Sequence, residues 1–341
     1  MRVTNKTLSN QFLDGYQTSL SRMNDIQEKI TASKNINRPS DNPVGAARNL
    51  QFTAAASAND LFTQNANDAI SWMQTSDSSL QHIVTDITSL KTAVSSVISA
   101  SPASSYDAVA KQVTQIIQSL VQTGNAKVGD RYVFGGQNDG AEPFTIKYDA
   151  SGNMTSVVYN GTSKKLNDPS NPASGYNPAT LNDGTVTMQV IPGAVSVFRD
   201  KINLDGQEVF GDINADGVPK IFQDLLDIKN HLQEIQTGAV DPKTGAVVTP
   251  ATLSSDLGTI QNSIDYVTSA QSTLGARQKA YQTIKDRLAD DSLVIAADAK
   301  DNDGFDIGKA SIEAQLAENA YNTLLSVGAR VLPKSLLDYM S

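Results

Sequence analysis

Apolar side chains recur at alternating intervals of three and four residues over much of this chain. Met73, Leu80, Ile83, Ile87, Leu90, Val94 and Val97 follow that alternation, with Ser76 as its one polar member. A stripe repeating every 3.5 residues is the seam of a coiled coil, so the pattern predicts a long helix that packs along its length. Its start is marked by Pro39-Ser40-Asp41-Asn42-Pro43, where Asp41 or Asn42 can accept from free backbone N–H groups and Pro43 suits the first helical turn. From Pro43 to Ser99 one continuous helix would run ~85 Å. The chain is expected to turn around Pro102. Tyr106, Val109, Val113, Ile116 and Leu120 then repeat the spacing in a second helix, antiparallel to the first.

Farther along, Ile221 to Ile228 opens a helix expected to reach Gln236. After a Gly238 to Pro250 loop, Leu257, Ile260, Ile264, Val267, Leu274, Tyr281, Ile284 and Leu288 restore the heptad spacing, with Gln271 and Gln278 as polar members. Between these helical halves the composition changes. Residues 135 to 220 are about a quarter of the chain yet hold half of its 22 glycines and half of its 12 prolines. Gly and Pro disfavour helix by about 1 and 3 kcal/mol, which marks this stretch as a turn-rich insert. Tyr132-Val133-Phe134, Phe144 to Tyr148, Thr155 to Tyr159 and Thr185 to Val190 alternate as short antiparallel strands do, so the insert is expected to be β-rich.

The two ends carry stripes of their own: Leu13, Tyr16, Leu20, Met23, Ile26 and Ile30 near the start, and Ile312, Leu316, Ala320, Leu324, Val327 and Val331 near the end. Breaks at Asn35 to Pro43 and Asp301 to Gly304 set them apart from the long helices. One amphipathic helix cannot bury its own stripe and is marginal in water. The two are expected to pair with each other and to have the rest of their apolar surface covered by other subunits; the simpler alternative is that both join the main bundle.

Composition narrows the function. Of 341 residues only 18% are charged and 6% aromatic, and much of the 39% hydrophobic share is Ala, too little bulk for one thick core. The absence of Cys excludes disulfides, thiolate metal sites and a cysteine nucleophile. A formal net charge of −9 and a sequence pI near 4.7 argue against nucleic acid or anionic lipid as partner, because both reward positive patches. No run approaches the ~18 apolar residues of a membrane helix, so no membrane insertion is expected. Met1 to Gln11 has no apolar signal region, so any export is expected to use another route.

Candidate chemistry is sparse. Asp212-Ile213-Asn214-Ala215-Asp216-Gly217 opens like an EF-hand calcium loop, but its twelfth position is Gln223 rather than Glu, and Pro219 and Lys220 fall where ligands belong. A polar turn is expected there, and a hinge at Asp301-Asn302-Asp303-Gly304. His82 and His231 have no second His or Cys at ligand spacing and are expected to be flanking helix residues. No Gly-x-Ser-x-Gly turn and no phosphate loop accompanies the many serines. Asp286, Asp290 and Asp291 with Lys285 and Arg287 form a solvated helix face, and Trp72 fits packing. No catalytic set, cofactor or metal is expected.

At three places the residues themselves are familiar. Asn37-Arg38-Pro39-Ser40-Asp41-Asn42-Pro43-Val44-Gly45-Ala46-Ala47, Arg131-Tyr132-Val133-Phe134-Gly135-Gly136 and Ser335-Leu336-Leu337-Asp338-Tyr339-Met340 resemble the flagellin-like hook-associated proteins 3, which form the hook–filament junction of the bacterial flagellum. Leu274-Gly275-Ala276-Arg277 is similar to the matching segment of the returning helix in flagellins. The resemblance covers about residues 1 to 140 and 221 to 341. It implies a mainly α, flagellin-like elongated helical rod built by long coiled-coil-like helices from both chain ends, with a small β-rich inserted domain. The expected divisions are an inner-tube helix over 1–38, rod halves over 39–141 and 221–300, the insert over 142–220, and a second inner-tube helix over 301–341.

That resemblance also implies a non-enzymatic structural subunit, located outside the cell at the hook–filament junction and exported through the flagellum's own channel. Its implied partners are further copies of itself in a ring, the hook-side hook-associated protein, flagellin, and an export chaperone with the export apparatus. The expected interface residues are Leu13, Tyr16, Leu20, Met23, Ile26, Ile30, Ile312, Leu316, Leu324, Val327, Val331, Leu336 and Leu337. A flagellin is the alternative, although this chain ends Asp338-Tyr339-Met340-Ser341 where flagellins carry a Leu-Leu-Arg-like run. A secreted adhesin or glycan-binding module would instead place function on the insert, around Tyr148, Tyr159 and Tyr176.

Overall fold

Heptad spacing and helix caps account for most of the observed elements. The structure is a computed structural model that describes residues 5–100, 104–161, 185–193, 200–243, 245 and 247–331. Pro102, Tyr176, Leu336 and Leu337 lie outside the described residues. The chain is mainly helical: α1 spans Asn5–Ala32, α2 Pro43–Ala100 and α3 Ser104–Gly124. Strand pairs β1 (Lys127–Val128) with β2 (Arg131–Tyr132) and β3 (Phe144–Tyr148) with β4 (Met154–Tyr159) follow, both antiparallel. Then come α4 (Gly206–Phe210), α5 (Lys220–Thr237), α6 (Pro250–Asp303) and α7 (Ile307–Val331).

The chain divides into two compact units, one of residues 1–60 with 289–341 and one of residues 61–288. The second unit holds the main hydrophobic core. Met73, Leu80, Ile83, Ile87, Leu90, Val94 and Val97 of α2 are all buried, together with Val109, Val113, Ile116 and Leu120 of α3 and Ile260, Val267, Leu274 and Tyr281 of α6. Two polar members of the seams, Ser76 and Gln271, are hydrogen-bonded. Ser76 Oγ donates to the Trp72 carbonyl at 2.9 Å, and Gln271 Nε2 donates to Asp77 Oδ1 at 2.9 Å. Trp72 is itself buried, and the Arg131 guanidinium lies 5.2 Å from its ring centre.

Aromatic side chains from the strands and from α4 and α5 complete this core. Phe144 and Phe210 meet edge-on at 4.7 Å, Phe210 and Phe222 stack at 5.0 Å, and Phe144 and Tyr159 lie 5.0 Å apart. Such pairs contribute about 0.5–1.5 kcal/mol beyond their area. The Tyr159 hydroxyl donates to the Phe134 carbonyl at 2.8 Å and accepts from Gly206 N–H at 3.0 Å, so its polar tip is satisfied inside the core.

Two expected strands are corrected. Thr185 to Val190 forms only an isolated bridge, Thr187 to Lys201. The reason is local: Asn203 Oδ1 accepts from Val186 N–H at 2.8 Å, and the Thr185, Met188 and Gln189 carbonyls accept from the side chains of Gln137, Tyr281 and Asn65. Side chains thus occupy the backbone groups that a ladder would use. In Tyr132-Val133-Phe134 only Tyr132 is in a strand, while Val133 and Phe134 turn into the core.

Short α4 has a full capping box. Asp205 Oδ1 accepts from Glu208 N–H at 2.8 Å, Glu208 Oε2 accepts from Asp205 N–H at 3.2 Å, and Lys201 Nζ donates to Glu208. Burial, reinforced by the Glu208 charge, pushes the Asp205 carboxyl up from 3.8 to about 7. Between those values the folded chain keeps a proton that the unfolded chain has lost, so this group makes stability fall as pH rises from about 4 to about 7. The span amounts to up to about 4 kcal/mol. Asp205→Asn should flatten that part of the pH dependence in thermal melts taken between pH 5 and pH 8; an unchanged slope would remove Asp205 as its source.

Candidate assembly surface

α1 and α7 pack against each other within the first unit, and their seam follows a 4-3-4-3-4 spacing on both sides. On α1 the covered positions include Phe12, Tyr16, Ser19, Met23, Ile26 and Ile30. On α7 they are Ala310, Ala314, Ala317, Tyr321, Leu324 and Gly328. The Tyr16 and Tyr321 hydroxyls are hydrogen-bonded at 3.1 Å, with ring centres 5.5 Å apart, and this bond pushes the Tyr321 hydroxyl above its ordinary value. Gly328 allows close approach at one end of the seam, because a Cβ there would fall 2.2 Å from the Phe12 ring. Mostly small side chains on α7 and larger ones on α1 bring the two helices together along a narrow strip.

The expected interface residues therefore divide. Tyr16, Met23, Ile26, Ile30 and Leu324 lie on the seam, and Leu20 is half-buried on α1. Leu13, Ile312, Leu316 and Val327 are exposed, Ile312 by 65% and Leu316 by 62%. The Val331 side chain lies outside the described residues. The stripe drawn on α7 by its larger side chains is thus mainly the face turned away from α1. The covered face uses Ala and Gly, which hydropathy periodicity passes over; their own 4-3 spacing was the available signal. Further exposed apolar side chains of this unit are Val44, Leu50, Leu293, Val294, Ile307 and Leu325. Among its described apolar side chains only Ile26 and Ala317 are buried.

Polar bonds organise the junctions of the helices. Asn42, not Asp41, caps α2, its Oδ1 accepting from Gly45 N–H at 3.0 Å. Asp41 instead accepts from Asn37 and Arg38 N–H, and the Arg38 bond holds its carboxyl below the ordinary value. Asp303 receives the N–H groups of Asn35 and Ile36 at 2.9 and 3.0 Å, and Asn302 Nδ2 donates to the Gly45 carbonyl and to Asn49. A Cβ on Gly45 would sit 2.5 Å from Ile36 Cδ1 and 2.8 Å from Asn42 Nδ2, so a larger residue there would have to push both side-chain ends aside. Asn37 to Gly45 is therefore a folded polar corner tied to Asn302 and Asp303.

The remaining candidate residues are placed as follows. His82 is exposed on α2. Asp212 to Gly217 forms a turn in which Asn214 Oδ1 accepts from Asp216 and Val218 N–H. Tyr148 is exposed at the end of β3, whereas Tyr159 belongs to the core. No helix among the described residues is long and apolar enough to cross a membrane.

Residues 3–139 match the family model of the bacterial flagellin N-terminal helical region. No curated protein matches the chain in sequence. Among solved structures the chain is similar to one from Vibrio parahaemolyticus described as a flagellar hook-associated protein, at 16% identity and a TM-score of 0.58, covering 77% of this chain and 100% of that one. It is also similar to flagellar hook-associated protein-3 from Legionella pneumophila, at 16% identity and a TM-score of 0.55, covering 75% and 99%. FlgL from Bacillus cereus gives 15% identity and a TM-score of 0.51, over 73% and 99%. At these identities the shared property is the fold.

Proposed function

From a chain whose residues 3–139 match the flagellin N-terminal helical region and whose fold is that of hook-associated proteins, we propose a structural subunit of the bacterial flagellum that joins the hook to the filament. The observation that carries this reading is the uncovered apolar surface of the first unit. Two helices share a seam to which α7 contributes mostly small side chains, and Leu13, Ile312, Leu316 and Val327 remain outside it. Burying each large side chain contributes about 1.5–3 kcal/mol, and a ring of identical subunits would supply that burial on every neighbour. Folding of the terminal helices is then completed by assembly.

In this reading α1 and α7, together with Leu336 and Leu337, supply the inner contacts of the ring. The hook-side hook-associated protein and flagellin lie on either side of the ring, and an export chaperone with the flagellar export apparatus delivers the chain. Catalysis has no part in it. Deleting the gene should leave hooks without filaments and release flagellin into the medium, as seen by electron microscopy and immunoblot. Normal filaments would overturn the proposal. Because the matched region is a flagellin one, a filament subunit is the second reading; purified protein that elongates seeded filaments would favour it.

A further inference from the structure

The last two turns of α5 place His231 and Glu234 three residues apart, on one side of the helix. The helix ends at Gly238 in the left-handed conformation, and the chain returns so that Asp241 reaches the same point. Asp256, in the second turn of α6, sits behind the imidazole, its Oδ2 2.8 Å from His231 Nδ1. A carboxylate in that position holds the proton on Nδ1 and turns the Nε2 lone pair outward. Nε2 lies 3.9 Å from Asp241 Oδ2, while Asp241 Oδ1 is fixed by Lys243 N–H at 2.8 Å. One ligand atom from each of His231, Glu234 and Asp241 lies within 4.8 Å of the others. Glu234 Oε2 is buried there and has no hydrogen-bond partner.

We propose that His231 Nε2 and the carboxylates of Glu234 and Asp241 bind a divalent transition-metal ion of the zinc class, with Asp256 orienting the imidazole from behind. Without an ion, Glu234 Oε2 is left unpaired beside the Asp241 carboxylate. The Lys243 ammonium is engaged with Asp227 at 2.5 Å. A dication answers the Glu234 and Asp241 charges at once, while Asp256 stays bonded to the imidazole.

Donor chemistry selects among cations. One imidazole with two carboxylates suits zinc and its neighbours, whereas calcium takes six to eight oxygens. Bonds of ~2.1 Å to a tetrahedral ion separate its ligands by about 3.4 Å, so the 3.9 Å gap closes by a small rotation and the flexible Glu234 side chain supplies the rest. Water would fill the fourth position. The ion would tie the end of α5, the 238–249 turn and the start of α6 into one structural clamp.

The test uses the full-length chain stripped with a chelator. Zinc titrated calorimetrically should bind at one equivalent, with calcium giving no comparable heat. His231→Gln and Asp256→Asn should each weaken zinc at least tenfold, while His82→Gln should not, circular dichroism confirming that each variant is folded. Cobalt added to the unaltered chain should develop visible ligand-field bands beyond those of the aqueous ion, a readout independent of any variant's folding. The proposal fails if no stoichiometric zinc binding occurs at millimolar concentration, if His231→Gln binds as tightly as the parent, or if cobalt keeps its aqueous spectrum.

Discussion

Replacing Ile312 and Leu316 together by aspartate should leave the isolated chain folded and abolish filament attachment. Both side chains are mostly exposed, one turn apart on α7, and neither belongs to the seam of Ala310, Ala314, Ala317, Tyr321, Leu324 and Gly328 against α1. The monomer therefore loses little beyond the poorer helix propensity of aspartate, about 0.5 kcal/mol per site. In a ring the sign of the same surface reverses. Each subunit would lose about 1.5–3 kcal/mol of burial per side chain and would press an unpaired carboxylate into an apolar contact, at a cost of several kcal/mol more. Since every contact in the ring carries the change, the cost multiplies. Circular dichroism of the purified variant should match the parent, while complementation of a deletion strain should fail to restore swimming. Restored swimming would show that this face is not buried in the assembly.

The second large effect concerns stability. Phe222→Ala should destabilise the second unit by about 3–5 kcal/mol, measured by denaturant unfolding. Phe222 has no solvent exposure and lies 5.0 Å from Phe210 and 5.7 Å from Phe144, between α5, α4 and β3. Its removal leaves a cavity lined by rings that are themselves held by other elements, so collapse around it is restricted. A loss under about 1 kcal/mol would mean that these rings repack freely.

The helices were readable from the order of residues because each long one has its own large apolar seam. Met73 to Val97 are spaced as a coiled coil and are buried as one, and the caps at Asn42 and Pro43 mark where α2 begins. The corner Asn37 to Gly45 was readable as a motif, but not its partners, since Asn302 and Asp303 reach it from the far end of the chain. Harder to see was which face of α7 meets α1: contact distance there is set by Ala and Gly, while Ile312 and Leu316 dominate any hydropathy period. The strand expected over Thr185 to Val190 failed because alternation describes side chains only, and Asn203, Gln137, Tyr281 and Asn65 had taken backbone groups of that segment. His231 gave no ligand spacing in sequence because its neighbours, Asp241 and Asp256, come from a loop and a separate helix.

Trp72 is the sole tryptophan of the chain, and it is buried in the second unit beneath Arg131. Light absorbed by indole alone therefore interrogates that unit and nothing of α1 or α7. Far-ultraviolet circular dichroism, by contrast, sums every helix, α1 and α7 included. Following the two signals together during unfolding should resolve two transitions, the terminal pair melting first in the free chain and later once neighbours surround it. Helix signal gained without a change in indole emission would then time the ordering of the terminal helices against the growth of the ring.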